Sequence, residues 1–337
     1  VEKKINVEII SDKRGLKYLE NSKEIKVNQI ISTSVFKKNI FKTLFSFLVI
    51  IFSFFKSLIF LIKSRPNLVI GMGGYSSFAF CIASWIVKVP IIIYENNLYL
   101  GKSNKYLLPF ASKLLVSNSE LEGVEEKFRY KICIVGNILR KEVFNFKTNQ
   151  KKENSDEKLK ILILGGSQAA KVFGEKLPHI FSECNSKKIA LKIYQQCLPH
   201  QNDFLEDFYK KKRIDFHLFN FENNIFKYFD KIDFAITRSG SSMLAELLNA
   251  QIPFISIPLP SSADNHQLKN AIYYEKKGYS FLIEEKFLKE KLINLIKIIN
   301  DDKQLLNKIK DKQIKHSDKS VYENIDREIN NLADEKY

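Results

Sequence analysis

The residues best suited to chemistry form the stretch Arg238-Ser239-Gly240-Ser241-Ser242-Met243-Leu244-Ala245-Glu246. It follows the apolar run Phe234-Ala235-Ile236, which reads as a strand, and opens into residues 244–248, which read as a helix. The first N–H groups of a helix lack intrahelical partners and carry partial positive charge, and glycine with serine lets an anion come close to the backbone. The turn is therefore a phosphate seat with Ser241 and Ser242 at its mouth. Glu246 lies about one turn inside the helix, where its carboxylate can accept hydrogen bonds from the vicinal hydroxyls of a ribose. Phosphate seat and carboxylate together suggest a nucleotide. The plain structural alternative is a serine-capped helix with a surface glutamate.

Other polar groups fall at comparable places. Gly71, Gly73 and Gly74, with Tyr75, belong to a glycine-rich loop (71–77) between a short strand at 66–70 and a helical run at 78–87. Its backbone N–H groups can hold a phosphate, although it has neither the Walker lysine nor the G-x-G-x-x-G spacing. Glu95, Asn96 and Asn97 follow the buried strand 89–94, at the carboxyl end where open α/β sheets place ligands. Turn-making by asparagine is the alternative. Arg140 ends the segment 132–140 and is read as a phosphate clamp, a base-edge contact or a surface residue. After the strand 159–164, Gly165-Gly166-Ser167-Gln168-Ala169-Ala170 starts a second Rossmann-like unit. In and after the loop 259–267, Asn265, Gln267 and Asn270 can read sugar hydroxyls or amides. His266 is read as a base or, beside Asp264, as a structural hydrogen-bond partner.

The elements that must position these groups alternate between strand and helix along the chain, which predicts an α/β fold in two Rossmann-like halves. Residues 1–146 form the first half. The polar stretch 147–158 is the linker, 159–318 form the second half, and 319–337 are a C-terminal helix that returns to pack on the first. The segment 44–55 is uninterrupted by charge and has Lys42, Lys56 and Lys63 around it. It is shorter than the roughly 20 apolar residues a spanning helix needs, so it reads first as a helix laying one face on a membrane surface, with its lysines meeting anionic headgroups, a full span and a wholly buried helix being the alternatives.

A chain of 337 residues with net charge +16 suits two domains and an anionic partner, unless lysine is simply its solubilising residue throughout. Charge alone would allow nucleic acid. No element interleaves basic and aromatic residues, so nucleic acid is excluded as a partner. Cys81, Cys133, Cys184 and Cys197 show no C-x-x-C spacing, which fits buried thiols in a reducing compartment. The charged first residues read as no signal peptide, and the cytoplasm is the expected location. No carboxylates cluster as a metal site would require.

The motifs GMGGYSS (71–77), YENN (94–97), VGNILR (135–140), GGSQAA (165–170), TRSGSSMLAE (237–246) and DNHQ (264–267), in this order, resemble the MurG family of N-acetylglucosaminyltransferases. The resemblance spans nearly the whole chain. It implies the GT-B architecture, two Rossmann-like domains facing across a cleft, the first binding acceptor and membrane and the second binding UDP-sugar. It further implies that Glu246 binds the uridine ribose and that Ser241 and Ser242, with Met243, Leu244 and Ala245 behind them, line the diphosphate helix. Ser167 and Arg140 would also contact the donor, Asn97 and Gln267 would hold N-acetylglucosamine, and the backbone at Phe221 and Glu222 would meet uracil. Gly71, Gly73, Gly74 and Tyr75 would line the acceptor diphosphate, and residues 44–55 would dock on the inner leaflet.

Two departures stand out. The family's opening strand and G-T-G-G-H loop, whose histidine is thought to help deprotonate the acceptor, have no counterpart here, which implies an N-terminal truncation and a gap beside the strand at 5–10. Tyr94 stands where the family commonly has histidine, leaving Glu95 as the one acid-base candidate nearby. The implied reaction is inverting transfer of N-acetylglucosamine from UDP-N-acetylglucosamine to the C4 hydroxyl of the muramyl sugar of lipid I, a polyprenyl-diphosphate lipid, giving lipid II. No cofactor or metal is called for, and the location is peripheral, on the cytoplasmic face of the inner membrane. The alternatives are a UDP-sugar transferase acting on another lipid and a catalytically silent UDP-sugar-binding protein.

Overall fold

The computed structural model describes residues 5–16, 19, 25–32, 40–146, 158–222 and 224–334, without the side chains of 14, 40–45, 47, 166–170 and 333–334. The chain divides into two compact units, residues 1–135 with 325–337, and residues 136–324.

In the first unit the elements run β1 (Glu8–Ser11), α1 (Lys13–Leu16), β2 (Lys26–Gln29), α2 (Ile40–Ser64), β3 (Val69–Gly71), α3 (Gly74–Ile86), β4 (Ile91–Glu95), α4 (Lys102–Leu107), β5 (Lys113–Val116) and β6 (Ile132–Ile134). All paired strands are parallel, with β1 on β2 and, separately, β3-β4-β5-β6 in that order. Ile91, Ile92 and Ile93 are fully buried, as a parallel strand covered on both faces requires, and β4 is apolar up to Tyr94 and Glu95 at its carboxyl end. The β1–β2 pair shares no ladder with the larger sheet among the described strands.

Helix α2 is apolar on two faces, and Phe54, Leu58, Phe60 and Leu61 pack into the core of the first unit. Its Ser46, Ser53, Ser57 and Leu61 are buried, and the Ser57 hydroxyl donates a hydrogen bond to the Ser53 carbonyl at 2.7 Å. Its exposed face carries Leu48, Ile51, Phe52, Phe55, Ile59 and Ile62, with Lys56 and Lys63 also exposed. Lys42 and the side chains at 44, 45 and 47 lie outside the described residues. No helix among the described residues is long and apolar enough to cross a membrane.

The second unit holds α5 (Lys141–Asn145), β7 (Leu159–Leu164), α6 (Gly166–Ser186), β8 (Leu191–Gln196), α7 (Asn202–Lys211), β9 (Asp215–Phe219), β10 (Phe234–Thr237), α8 (Ser241–Asn249), β11 (Phe254–Ser256), α9 (His266–Lys276), β12 (Phe281–Leu282), α10 (Leu288–Asp301), α11 (Gln304–Gln313) and the start of α12 (Val321–Asp334). Its parallel sheet has the order β12-β11-β10-β7-β8-β9. The chain thus builds outward from β7 through β8 to β9, then returns to β7's other side to lay down β10. A doubly wound sheet binds ligands at the carboxyl edge where this reversal occurs.

The boundary differs from the one read in the sequence, which kept residues 136–146 with the first half. They join the second unit because Leu139 and Val143 are buried against Ala245 of α8. The linker expected at 147–158 lies outside the described residues except for Lys158. Residues from Ile325 onward group with the first unit, where Glu328 meets Lys113 at 2.7 Å with both side chains largely buried.

Candidate functional site

The neighbours β7 and β10, in register from Phe234 opposite Ile161 to Thr237 opposite Leu164, each run directly into a helix, α6 and α8. Both helix N-termini therefore open at the sheet's reversal point. Gly240 is the N-cap of α8 in extended conformation with no side-chain cap hydrogen bond, and the first turn of a helix is where an anion is favoured. A Cβ added at Gly240 would meet no atom within 4 Å, which shows the space above the mouth to be open. The serine-capped alternative does not hold. The helix also starts at Ser241, three residues earlier than its apolar pattern indicated.

Arg140 and Glu246, read in the sequence as separate contacts, form a bidentate pair. Arg140 Nε donates to Glu246 Oε1 at 3.0 Å and Nη2 to Oε2 at 2.8 Å. The guanidinium also lies over the Phe226 ring, 4.7 Å from its centroid. The Glu246 side chain is 11% exposed and that of Arg140 is 43% exposed, so the carboxylate is the more buried of the two groups. Each carboxylate oxygen has a second lone-pair direction for a ligand hydroxyl, and a guanidinium is a charge suited to a diphosphate.

Arg238 was not singled out from its motif, and it proves buried. Nη1 donates to the carbonyls of Ile257 and Pro258 at 3.3 Å each, Nη2 lies 2.7 Å from Glu285 Oε2, and the guanidinium stacks on Phe173. It ties the end of β10 to the start of the loop leading to α9. Burial works against ionisation of Glu285, yet bonds from Arg238 and Lys176 outweigh it and hold that carboxyl below its ordinary range. The only sequence signal for this role was the position of Arg238 at a strand's carboxyl end.

In the first unit, Gly73 (φ 78°) and Gly74 (φ 74°) carry the chain from β3 into α3 in backbone conformations that side-chain-bearing residues avoid. Gly71 is required for a different reason, since a Cβ there would lie 2.8 Å from Cys81 Sγ. That thiol is buried and pushed up to about 12 by loss of hydration. The loop is closed from outside by Ser103 Oγ, which donates to the Gly74 carbonyl at 2.8 Å, while Tyr75 is 40% exposed. Gly73→Ala is expected to destabilise the protein by roughly 1–3 kcal/mol, because Gly73 combines positive φ with an extended ψ. An unchanged denaturation midpoint would contradict this backbone assignment.

Glu95, named as the acid-base candidate, is a structural staple. Its Oε1 accepts the backbone and side-chain N–H of Asn97 at 3.1 and 2.9 Å, and its Oε2 accepts Gly101 N–H and Asn104 Nδ2 at 3.0 and 2.9 Å. At 5% exposure, with four donors around it, the carboxylate holds the loop after β4 on α4. Among the described residues no group of three or more His, Cys, Asp or Glu side chains could hold a metal ion.

Residues 1–116 match the glycosyltransferase family 28 N-terminal domain, and residues 160–325 match the family 28 C-terminal domain. A protein from Pelagibacter ubique (strain HTCC1062), named UDP-N-acetylglucosamine--N-acetylmuramyl-(pentapeptide) pyrophosphoryl-undecaprenol N-acetylglucosamine transferase, is 35% identical over 332 residues, covering 98% of this chain and 90% of its own length. A relative of the same name from Rickettsia bellii (strain RML369-C) is 32% identical over 323 residues, covering 92% and 89%. The crystal structure of Acinetobacter baumannii MurG superposes with a TM-score of 0.74 at 20% identity, covering 96% of this chain and 91% of that one.

The chain belongs to the MurG family of glycosyltransferases. The α/β fold with parallel sheets expected of that family is the one observed, with its solved neighbours among GT-B glycosyltransferases.

The other MurG-family positions vary in how their polar atoms are used. Ser241 is buried at the α8 mouth, Ser242 is exposed and Met243 half-buried, while Leu244 and Ala245 are fully buried, so the last two act through backbone and packing alone. Ser167 lies in the first turn of α6 with its side chain outside the described residues. Gln267 spends its Oε1 on the Leu259 N–H at 2.9 Å. Asn97 lies in the first unit, its amide donating to Glu95 as above and to Asn96 Oδ1 at 3.4 Å. Asn270, expected to face sugar, is 1% exposed and donates to the Ser239 carbonyl at 3.1 Å, bracing the α8 turn from α9. His266 donates from Nδ1 to the Ala263 carbonyl at 2.7 Å. Glu222 pairs with Lys227 and accepts the Asn224 N–H at 2.9 Å, and these two bonds lower its pKa. Phe221 beside it is exposed.

Proposed function

We propose that this chain transfers N-acetylglucosamine from UDP-N-acetylglucosamine to the C4 hydroxyl of the muramyl sugar of lipid I, with inversion, giving lipid II. Membership of the MurG family and the printed names of its relatives support the reaction. The observation that carries the donor assignment is the uncapped α8 N-terminus at the sheet's reversal point, with the Arg140–Glu246 pair joined to the same helix. In this reading the diphosphate sits on the N–H groups of α8 and α6, and Glu246 receives the ribose hydroxyls. Arg140 meets the negative charge that builds on UDP as it leaves, an electrostatic contribution that requires no covalent intermediate. The loop held by Arg238, with Gln267, frames the sugar.

Turnover assays that exchange the donor and the lipid acceptor test the reading. Product only with UDP-N-acetylglucosamine and lipid I supports it. Tight UDP-sugar binding with no turnover would instead favour a silent binding protein, and efficient transfer to another polyprenyl lipid would replace the acceptor.

The membrane contact is assigned to the exposed face of α2, peripheral to the cytoplasmic leaflet. Leu48, Ile51, Phe52, Phe55, Ile59 and Ile62 stay exposed although Phe54, Leu58, Phe60 and Leu61 of the same helix already pack into the core, and a second apolar face of that size supports a surface contact. Phe52→Asp with Phe55→Asp is expected to reduce partition onto anionic vesicles by at least about tenfold while leaving the fold intact, since both rings are more than half exposed. Equal sedimentation of variant and parent with vesicles would exclude α2 as the docking face.

A further inference from the structure

We infer that Asp318 is a positioning residue for donor binding, which sets Arg140 against Glu246 by clamping the segment before Arg140 onto the helix that carries Glu246. The inference rests on the donor reading above. Asp318 is 5% exposed and its carboxylate is shared by three neighbours. Oδ1 accepts the Asn137 backbone N–H at 3.1 Å, and Oδ2 accepts Asn137 Nδ2 at 3.0 Å and Asn249 Nδ2 at 2.7 Å, with His316 Nε2 at 3.0 Å. The Asp318 N–H completes the link by donating to Asn249 Oδ1 at 2.9 Å. Asn137 precedes Arg140 by three residues, and Asn249 is the last residue of α8, one turn beyond Glu246. One buried carboxylate thus fixes both arms from which the Arg140–Glu246 pair projects.

Two further observations bear on the same segment. Gly136 has φ 97°, and a Cβ there would stand 2.8 Å from Asp318 Oδ1, so the backbone passes as close to the carboxylate as glycine permits. Tyr322, at the start of α12, donates its hydroxyl to the Leu139 carbonyl. The segment 136–139 is therefore held at both ends by residues 318–322. Burial favours the neutral form of Asp318, but bonds from His316, Asn249 and Asn137 outweigh it and keep the carboxyl below its ordinary range.

Asp318→Asn keeps the shape but turns an amide NH2 towards N–H donors, releasing the clamp without touching the pair. In the full chain, with thermal melts confirming the fold, Asp318→Asn is expected to raise the Kd for UDP-N-acetylglucosamine about tenfold by calorimetry. In an Arg140→Ala background the same change should raise Kd by less than about twofold, because a residue acting through Arg140 has nothing left to position. Asn137→Ala, which removes one link only, should give a smaller increase and carries the test if Asp318→Asn does not fold. An unchanged Kd in a folded Asp318→Asn protein, or an equal increase in both backgrounds, overturns the positioning role while leaving the donor site standing. Wild-type affinity in Arg140→Ala alone would sink the donor assignment and this inference together.

Discussion

Glu246→Ala is expected to raise the Kd for UDP-N-acetylglucosamine about 100-fold while the protein still folds. The loss has two parts. The ribose hydroxyls lose an ionised acceptor held in a largely buried place, and hydrogen bonds to charged groups are the stronger class, at about 1.5–3 kcal/mol each. Arg140 also loses the partner that fixes it through two parallel bonds, so the guanidinium no longer waits where the diphosphate arrives. Together these amount to about 2.8 kcal/mol, at 1.4 kcal/mol per tenfold. Folding should survive because Arg140 keeps 43% of its side chain exposed and is hydrated rather than stranded when the carboxylate is gone. Glu246→Gln, which preserves size and one acceptor, should fall between variant and parent. Calorimetry with UDP and with the UDP-sugar checks both, and unchanged UDP binding in Glu246→Ala would remove the site from α8.

Glu95→Ala is expected to cost stability rather than chemistry, lowering folding free energy by about 4 kcal/mol. Four N–H donors, from Asn97, Gly101 and Asn104, converge on the carboxylate, and each left unmade in a buried setting costs about 1–3 kcal/mol before water recovers part of it. For a unit of this size the loss corresponds to a Tm lowered by roughly 10 °C. Below that temperature turnover should remain within a few fold of the parent, with an unaltered pH–rate profile. A Glu95→Ala protein with parental Tm and no turnover would return Glu95 to the position of base.

Most of what carries the fold was legible in local pattern. Residues 159–164 read as a strand and form β7 with those bounds, since a strand buried on both faces must be apolar throughout. Short or polar elements escaped notice. β2 (Lys26–Gln29) has no apolar alternation, and β12 is two residues long, so each exists only because a neighbouring strand supplies its hydrogen bonds. The site divides the same way. The serine-glycine turn and Glu246 were readable because helix starts impose residue types over a few positions, whereas Asp318 sits 181 residues from Asn137 and 69 from Asn249. No local spacing could have joined them.

By itself the sequence determined the alternation of strand and helix, the glycine turns, an apolar segment flanked by lysine and the motif order that marks the MurG family. These follow from backbone conformations and periodicities that single residues enforce locally. Only the tertiary structure decided that Arg140 grips Glu246, that Glu95 braces the loop after its strand, that α2 turns its serines inward, and that residues 136–146 belong to the second unit. Each of those outcomes depends on which distant groups share a buried space, because a polar group removed from water takes whatever partner the packing brings within about 3 Å.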